Sequence, residues 1–160
     1  MAELLSEQGL EPRRLTTEYK PQAPPESLTA FCGFGSADFR GAVTIFGSVP
    51  LFSRIHPLPE DVSPRDLADW ACELVNQAVG RYRNRLLAYN VNLALGVPQG
   101  ALAENIRLSA RLRHTNNPIC FAFDDGVLET WLELNLRPGF QLADEPADET
   151  AQREGSIVFF

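Results

Sequence analysis

Glu73 and Asn76 stand three residues apart in the stretch DWACELVNQAVG, residues 69–80. A carboxylate can pair with a cation, and a neutral carboxamide can donate to and accept from a water molecule. Side chains at this spacing become neighbours only when the chain is helical. The two residues are therefore a candidate catalytic pair, provided that a helix holds them.

The sequence around the pair predicts such a helix. Ser63 is a plausible N-cap, Pro64 fits the first helical position, and Asp66 completes a capping pattern. The helix is predicted to run from Pro64 to about Leu86. Apolar residues recur along it with helical spacing and define a side that packs on a core: Leu67, Trp70, Ala71, Leu74, Val75, Ala78 and Tyr82.

Four residues lie opposite that apolar side, within a strip roughly 60° wide. We call Asp69, Glu73, Asn76 and Gly80 the polar stripe. A glycine inside a helix costs about 1 kcal/mol relative to alanine, so Gly80 requires a reason. Close approach of a partner's backbone is one such reason. The stripe taken alone also fits an ordinary solvated helix face.

The composition bounds the classes of function. The chain has 160 residues, 44% of them hydrophobic, which suits one domain with a sizeable core. A net charge of −7 argues against sequence-independent binding of nucleic acid and against docking on an anionic membrane. Three cysteines without CxxC spacing, no signal-peptide pattern and no long apolar run lead us to expect a cytoplasmic protein.

The order of elements predicts an α+β fold, a mainly antiparallel sheet with one long amphipathic helix. One hairpin is expected from Leu28, with a loose turn near residues 36–39, and another is expected around the turn Asp124–Gly126. A half-buried strand is predicted over residues 105–114 and helical turns over 2–8 and 51–55.

The predicted domain spans residues 28–141. It follows a Pro-rich N-terminal arm, residues 1–27, and precedes an acidic C-terminal extension, residues 142–160, whose end SIVFF is apolar enough to form a last strand. His56 and His114 lack neighbouring ligands at metal-binding spacing. No nucleotide-binding or nucleophile motif is present, so we expect this chain to bind neither a metal nor a cofactor.

The arrangement D-x-x-x-E-x-x-N-x-x-x-G, followed by NLALGVPQG, resembles the CheC/CheX/FliY family of chemotaxis phosphatases. Asp69, Glu73 and Asn76 match the family signature, and Pro98 matches its downstream proline, one residue closer than the family spacing. The resemblance covers about residues 28–136 and includes both hairpins. Glu104 and Asn105 are adjacent and form no second E-x-x-N, so the single-site CheX-like branch fits better.

The resemblance implies a phosphatase that hydrolyses the aspartyl-phosphate of a CheY-type response regulator. Asn76 would position the attacking water, and Glu73 would pair with a cation of the regulator, its active-site Lys. Asp69 and Gly80 would contribute to docking, and the regulator would supply its own Mg²⁺. The resemblance also allows a homodimer formed through sheet edges.

Two other interpretations stay open at this level. One is a non-catalytic adaptor that docks on a receiver domain or a flagellar switch protein. The other is a structural domain in which the E-x-x-N spacing is incidental. The presence of both Glu73 and Asn76 favours catalysis over the adaptor, because binding alone does not require that amide.

Overall fold

The computed structural model describes residues 1–15, 24–58, 62–104 and 118–146. The strand predicted over 105–114 and the final strand of the C-terminal extension lie outside these ranges. The described elements, in chain order, are α1 Ala2–Glu7, β1 Arg13–Leu15, β2 Glu26–Gly35, β3 Phe39–Ser48, α2 Val49–Ile55, α3 Pro64–Leu87, β4 Ala94–Leu95, β5 Gln99–Glu104, β6 Ile119–Phe123 and β7 Gly126–Leu136.

The strands of the described ranges form one seven-stranded sheet in which every pairing is antiparallel. The order is β1-β6-β7-β3-β2-β4, and β5 pairs with the first half of β2. Both predicted hairpins are confirmed, as β2–β3 and as β6–β7. In the first, Ser36 N donates to Phe39 O at 2.7 Å, in the turn where the loose connection was expected. The predicted α+β fold is confirmed.

The core lies between one face of this sheet and the three helices. The sheet contributes alternate residues of β2, including Leu28, Ala30 and Cys32, and α3 contributes Leu74 and Val75. Fully burying side chains of leucine or valine size stabilises a fold by about 1.5–3 kcal/mol each. The packing of α3 is therefore a main source of stability.

No helix within the described ranges is long and apolar enough to cross a membrane.

The first fifteen residues differ from the N-terminal arm predicted over residues 1–27. Leu4 and Leu5 of α1 are 2% and 0% exposed and belong to the core. β1 pairs with β6 at one edge of the sheet. Residues 1–15 therefore pack on the domain instead of extending from it as an arm. Two leucines in a six-residue helix are too few to give a periodic signal, which explains why the sequence pattern did not reveal the packing.

A buried carboxyl lies on β7. Glu129 is only 2% exposed, and Trp131 Nε1 donates a hydrogen bond to its Oε2 at 3.1 Å. Burial raises the pKa of Glu129, and the hydrogen bond from Trp131 offsets this only in part. Trp131 is half-buried and lies outside the core cluster, next to this carboxyl.

We predict that Glu129→Gln makes the protein more stable at neutral pH. A raised pKa means that the folded state binds the proton more tightly than the unfolded state, so Glu129 lowers stability as the pH rises through the interval above its ordinary pKa. The substitution keeps an acceptor for Trp131 and removes the titration. Urea unfolding between pH 4 and pH 8 should show an advantage for the variant that grows with pH.

Glu133→Gln, on the same strand, is the matched control for that series. An advantage of Glu129→Gln that is the same at every pH, or that is also produced by Glu133→Gln, would contradict the assignment to the buried carboxyl.

Candidate functional site

The start of α3 is fixed by the predicted capping box. Asp66 N donates to Ser63 Oγ at 3.2 Å, and Ser63 N donates to Asp66 Oδ2 at 3.2 Å. The Ser63 hydroxyl also donates to Asp66 Oδ2 at 2.6 Å, and these hydrogen bonds lower the pKa of Asp66. A cap of this kind stabilises a helix by about 1 kcal/mol. The helix then continues to Leu87, one residue beyond the predicted end.

The buried side of α3 determines where the polar stripe lies. Asp69, Glu73 and Asn76 are exposed, and Gly80 is half-buried. The structure thus brings the four predicted stripe residues together on the open side of the helix. The side that packs on the core consists of Leu67, Ala71, Leu74, Val75, Val79 and Leu86.

Contacts on both flanks hold α3 in this rotation. On one flank α1 lies alongside, because Glu7 forms an ion pair with Arg81 and Glu3 accepts from Arg85 Nη2 at 2.6 Å. On the other flank β5 passes so close that a Cβ atom at Gly100 would lie 3.0 Å from Cys72 Sγ. The stripe is therefore presented from a helix that is restrained by the sheet below and by an element on each side.

The side chains of the stripe have different partners. Gln77 Nε2 donates to Glu73 Oε1 at 2.6 Å. Asp69 faces Arg65 at 3.9 Å, an exposed pair worth about 0.5 kcal/mol or less. Asn76 has no hydrogen-bond partner within the described part of the chain. Its amide is left free to donate to, and accept from, an incoming molecule.

Cys72 is the one residue beside Glu73 whose side chain could act as a nucleophile. Burial raises the pKa of its thiol, and the charge of Asp69 raises it further. Because the thiolate is the reactive form, this environment favours the inert thiol. Cys32 and Cys120 are buried and free, and burial raises the pKa of Cys120 to about 11. The stripe can act by binding and orientation, without a covalent intermediate.

The stripe is an open helix surface, because Asp69, Glu73 and Asn76 are all exposed. A cavity of about 440 Å³ lies near it and involves Trp70, which was predicted to face the core and is half-buried, edge-on to His56 at 5.7 Å. No stripe residue lines that cavity; its lining is Gln8, Leu10, Arg54, Ile55, His56, Pro57 and Trp70. Among the described residues no three His, Cys, Asp or Glu side chains are grouped to hold a metal ion.

Comparison with known proteins identifies the fold. No family model matches the chain, and no curated protein matches it. Among solved structures, the chemotaxis protein CheX from Vibrio vulnificus superposes with a TM-score of 0.70 at 14% identity, covering 84% of this chain and 90% of that one. A CheC-like superfamily protein from Shewanella sp. PV-4 gives 0.66 at 14% identity, covering 82% and 89%. The chain has the CheX/CheC-like fold.

One CheX-like structure was solved together with a partner. It is the complex of CheX with CheY, BeF₃ and Mg²⁺ from Borrelia burgdorferi, which matches this chain with a TM-score of 0.58 at 14% identity, covering 68% of this chain and 75% of that one. At 14% identity the likeness is one of fold alone.

Sequence reasoning missed two features of the site. Gln77, four residues after Glu73, bonds to its carboxylate, and the spacing on a helix was the available signal. Arg81 and Arg85, in the basic run at the end of α3, hold α1 against the helix through ion pairs with Glu7 and Glu3. No local pattern reveals that contact, because its two sides are more than seventy residues apart.

We predict that Gly80→Ala stabilises the protein. A Cβ atom added at Gly80 would meet nothing within 4 Å, so no packing is disturbed, while helix propensity improves by about 1 kcal/mol. For a chain of this size that corresponds to a rise in Tm of about 2–4 °C. Thermal unfolding followed by circular dichroism measures the change; a lower Tm would show that Gly80 has a structural role in the free chain.

Proposed function

We propose that this chain is a phosphatase that hydrolyses the aspartyl-phosphate of a CheY-type response regulator, with Asn76 positioning the attacking water. The observation that carries the proposal is the Asn76 side chain, exposed on a restrained helix beside Glu73 and without a partner in the described ranges. The CheX-like fold, and the existence of a CheX–CheY complex among proteins of that fold, support the choice of partner.

The reaction requires few chemical groups from the phosphatase itself. The water oxygen forms a bond to phosphorus while the bond from phosphorus to the aspartyl oxygen breaks, releasing the carboxylate and inorganic phosphate. Phosphoryl transfer of this type depends on in-line positioning and on compensation of charge. The regulator's Mg²⁺ and Lys would supply the positive charge, so this chain needs no metal or cofactor of its own.

Asn76 suits the positioning of water because its amide is neutral. It can accept a hydrogen bond from the water and donate one at the same time. A carboxylate in this place would repel the phosphoryl oxygens at the moment of attack. The free amide observed on α3 is therefore better suited to this role than Glu73 or Asp69.

Glu73 would bind a cation of the regulator, its active-site Lys. One of its oxygens accepts from Gln77, which leaves Oε2 open toward the partner. Such a contact sets the direction from which Asn76 enters the regulator's site. Asp69 and Gly80 would extend the docking surface to either end of the pair, and the missing side chain at Gly80 lets the partner's backbone come close to the helix.

This function would place the protein in the cytoplasm with its regulator. A homodimer formed through sheet edges remains a prediction of the resemblance. A non-catalytic adaptor on the same surface would bind the regulator without using the Asn76 amide.

We predict that Asn76→Ala abolishes the acceleration of phosphate release while the chain stays folded. The variant loses only the group that orients water, and misplacement of a reacting group by about 1 Å can reduce a rate about 10²-fold. The measurement is the decay of radiolabelled phosphate on receiver domains from the same genome, with and without the protein.

Asn135→Ala is the matched control, because Asn135 is an exposed asparagine on β7 and not on α3. Its decay rates should equal those of the wild type. Normal rates in Asn76→Ala would contradict the mechanism, and binding without faster decay in the wild-type protein would identify an adaptor.

We predict that Glu73→Ala weakens both docking and turnover. Removing one member of a charge pair that becomes buried in a complex costs several kcal/mol, so the concentration that gives half-maximal decay rate should rise by tenfold or more. Glu73→Gln separates charge from shape, and it should behave like Glu73→Ala if the partner group is a cation. Activity that survives in Glu73→Gln would show that no cation is bound there.

We predict that Gly80→Ala, although more stable, binds the regulator more weakly. An added methyl group blocks the closest approach of the partner's backbone, and Gly80→Leu should block it further. Titration of a fluorescent phosphorylated receiver measures both affinities. Equal affinities for the wild type, Gly80→Ala and Gly80→Leu would show that Gly80 is not part of the docking surface.

A further inference from the structure

The carboxylate of Glu73 is already oriented in the free protein. Gln77 lies one helical turn further along α3, and its Nε2 donates to Glu73 Oε1 at 2.6 Å. Glu73 is exposed and Gln77 is half-buried beside it. An exposed glutamate otherwise moves freely among several rotamers, so this short hydrogen bond restricts the directions in which the second oxygen can point.

The chemical type of the residue that makes this bond is informative. On a surface helix, the residue that stabilises a glutamate from one turn further along is usually a lysine or an arginine, which forms an ion pair with it. The same helix forms one such ion pair, Arg65–Asp69, and two ion pairs with α1 through Arg81 and Arg85. At the Glu73 position the partner is instead a neutral amide. Gln77 fixes the carboxylate without neutralising its charge.

We propose that Gln77 is a positioning residue for the phosphatase reaction, which holds Glu73 as an oriented and uncompensated anion for the regulator's cation. This inference rests on the proposed function. It assigns the Oε1 atom of Glu73 to an internal bond and the Oε2 atom to the partner. Gln77 acts through Glu73 and does not touch the phosphoryl group.

The size of the effect follows from pre-organisation. A long side chain that must be immobilised on binding costs about 0.5–1.5 kcal/mol, which corresponds to a factor of about two to ten in affinity. Loss of the Gln77 amide restores that freedom to Glu73 before binding. The bound complex is otherwise unchanged, so the rate of the chemical step at saturation stays the same.

The test is the decay of receiver phosphate measured against phosphatase concentration for Gln77→Ala and Gln77→Lys. Gln77→Ala should raise the half-saturating concentration about two- to tenfold at an unchanged maximal rate. Gln77→Lys should raise it more, because the ammonium group pairs internally with Glu73 and competes with the regulator's cation. Gln141→Ala, at an exposed glutamine after the end of β7, is the control and should have no effect.

A double-mutant cycle with Glu73→Ala decides whether Gln77 acts through Glu73. In the Glu73→Ala background, Gln77→Ala should have no further effect on the half-saturating concentration. A persisting effect would show that Gln77 contacts the partner directly, and an unchanged half-saturating concentration in the single variant would show that it positions nothing. Either result overturns the inference.

The proposed function and the positioning role of Gln77 can fail separately. If the wild-type chain accelerates no decay, the proposed function fails and the positioning role goes with it. If the wild type accelerates decay and Asn76→Ala does not, while Gln77→Ala matches the wild type throughout, only the role of Gln77 is wrong. Thermal unfolding of each variant excludes loss of fold as the cause, since alanine and lysine are both good helix formers.

Discussion

The burial of one side of α3 against the sheet is the constraint on which the rest of the structure depends. Leu74, Val75 and Val79 are fully buried, so the helix cannot rotate without exposing its largest apolar contact. A rotation of one residue, about 100°, would carry the polar stripe off the open surface. The ion pairs to α1 and the close passage of β5 at Gly100 restrain the helix further. Rigid presentation of Glu73 and Asn76 is thus a consequence of core packing.

The remaining features fit the proposed function, in which the stripe completes another protein's active site. Asp69, Glu73 and Asn76 are exposed, Asn76 has no internal partner in the described ranges, and Gly80 leaves open space above the helix. An enclosed active site would have to desolvate its substrate and hold its own charges. A helix that enters a site already containing metal and lysine needs only one well-placed amide. Gly80 lowers the stability of the helix in the free chain and leaves its surface accessible to a partner.

Local features could be predicted from the sequence, and contacts between distant segments could not. The start of α3 is predicted by its capping residues, Ser63, Pro64 and Asp66. The apolar spacing predicts which side of the helix is buried. Both features depend on residues within two helical turns of each other. The turn residues Asp124–Gly126 predict the second hairpin in the same way. By contrast, the packing of Leu4 and Leu5 and the ion pairs of Arg81 and Arg85 link the two ends of a long stretch of chain. The buried state of Glu129 likewise depends on neighbouring strands, and a single strand's alternation does not reveal it.

The most direct test of the central claim is the crystal structure of this chain bound to a receiver domain that carries Mg²⁺ and beryllofluoride, a mimic of the phosphoryl group. We predict that α3 enters the receiver's active site with the Asn76 amide within hydrogen-bond distance of a water in line with the bond from the aspartyl oxygen to beryllium. We also predict Glu73 Oε2 on a receiver cation, with Oε1 still bonded to Gln77. A receiver bound through another surface, with the polar stripe left in solvent, would contradict the proposed function.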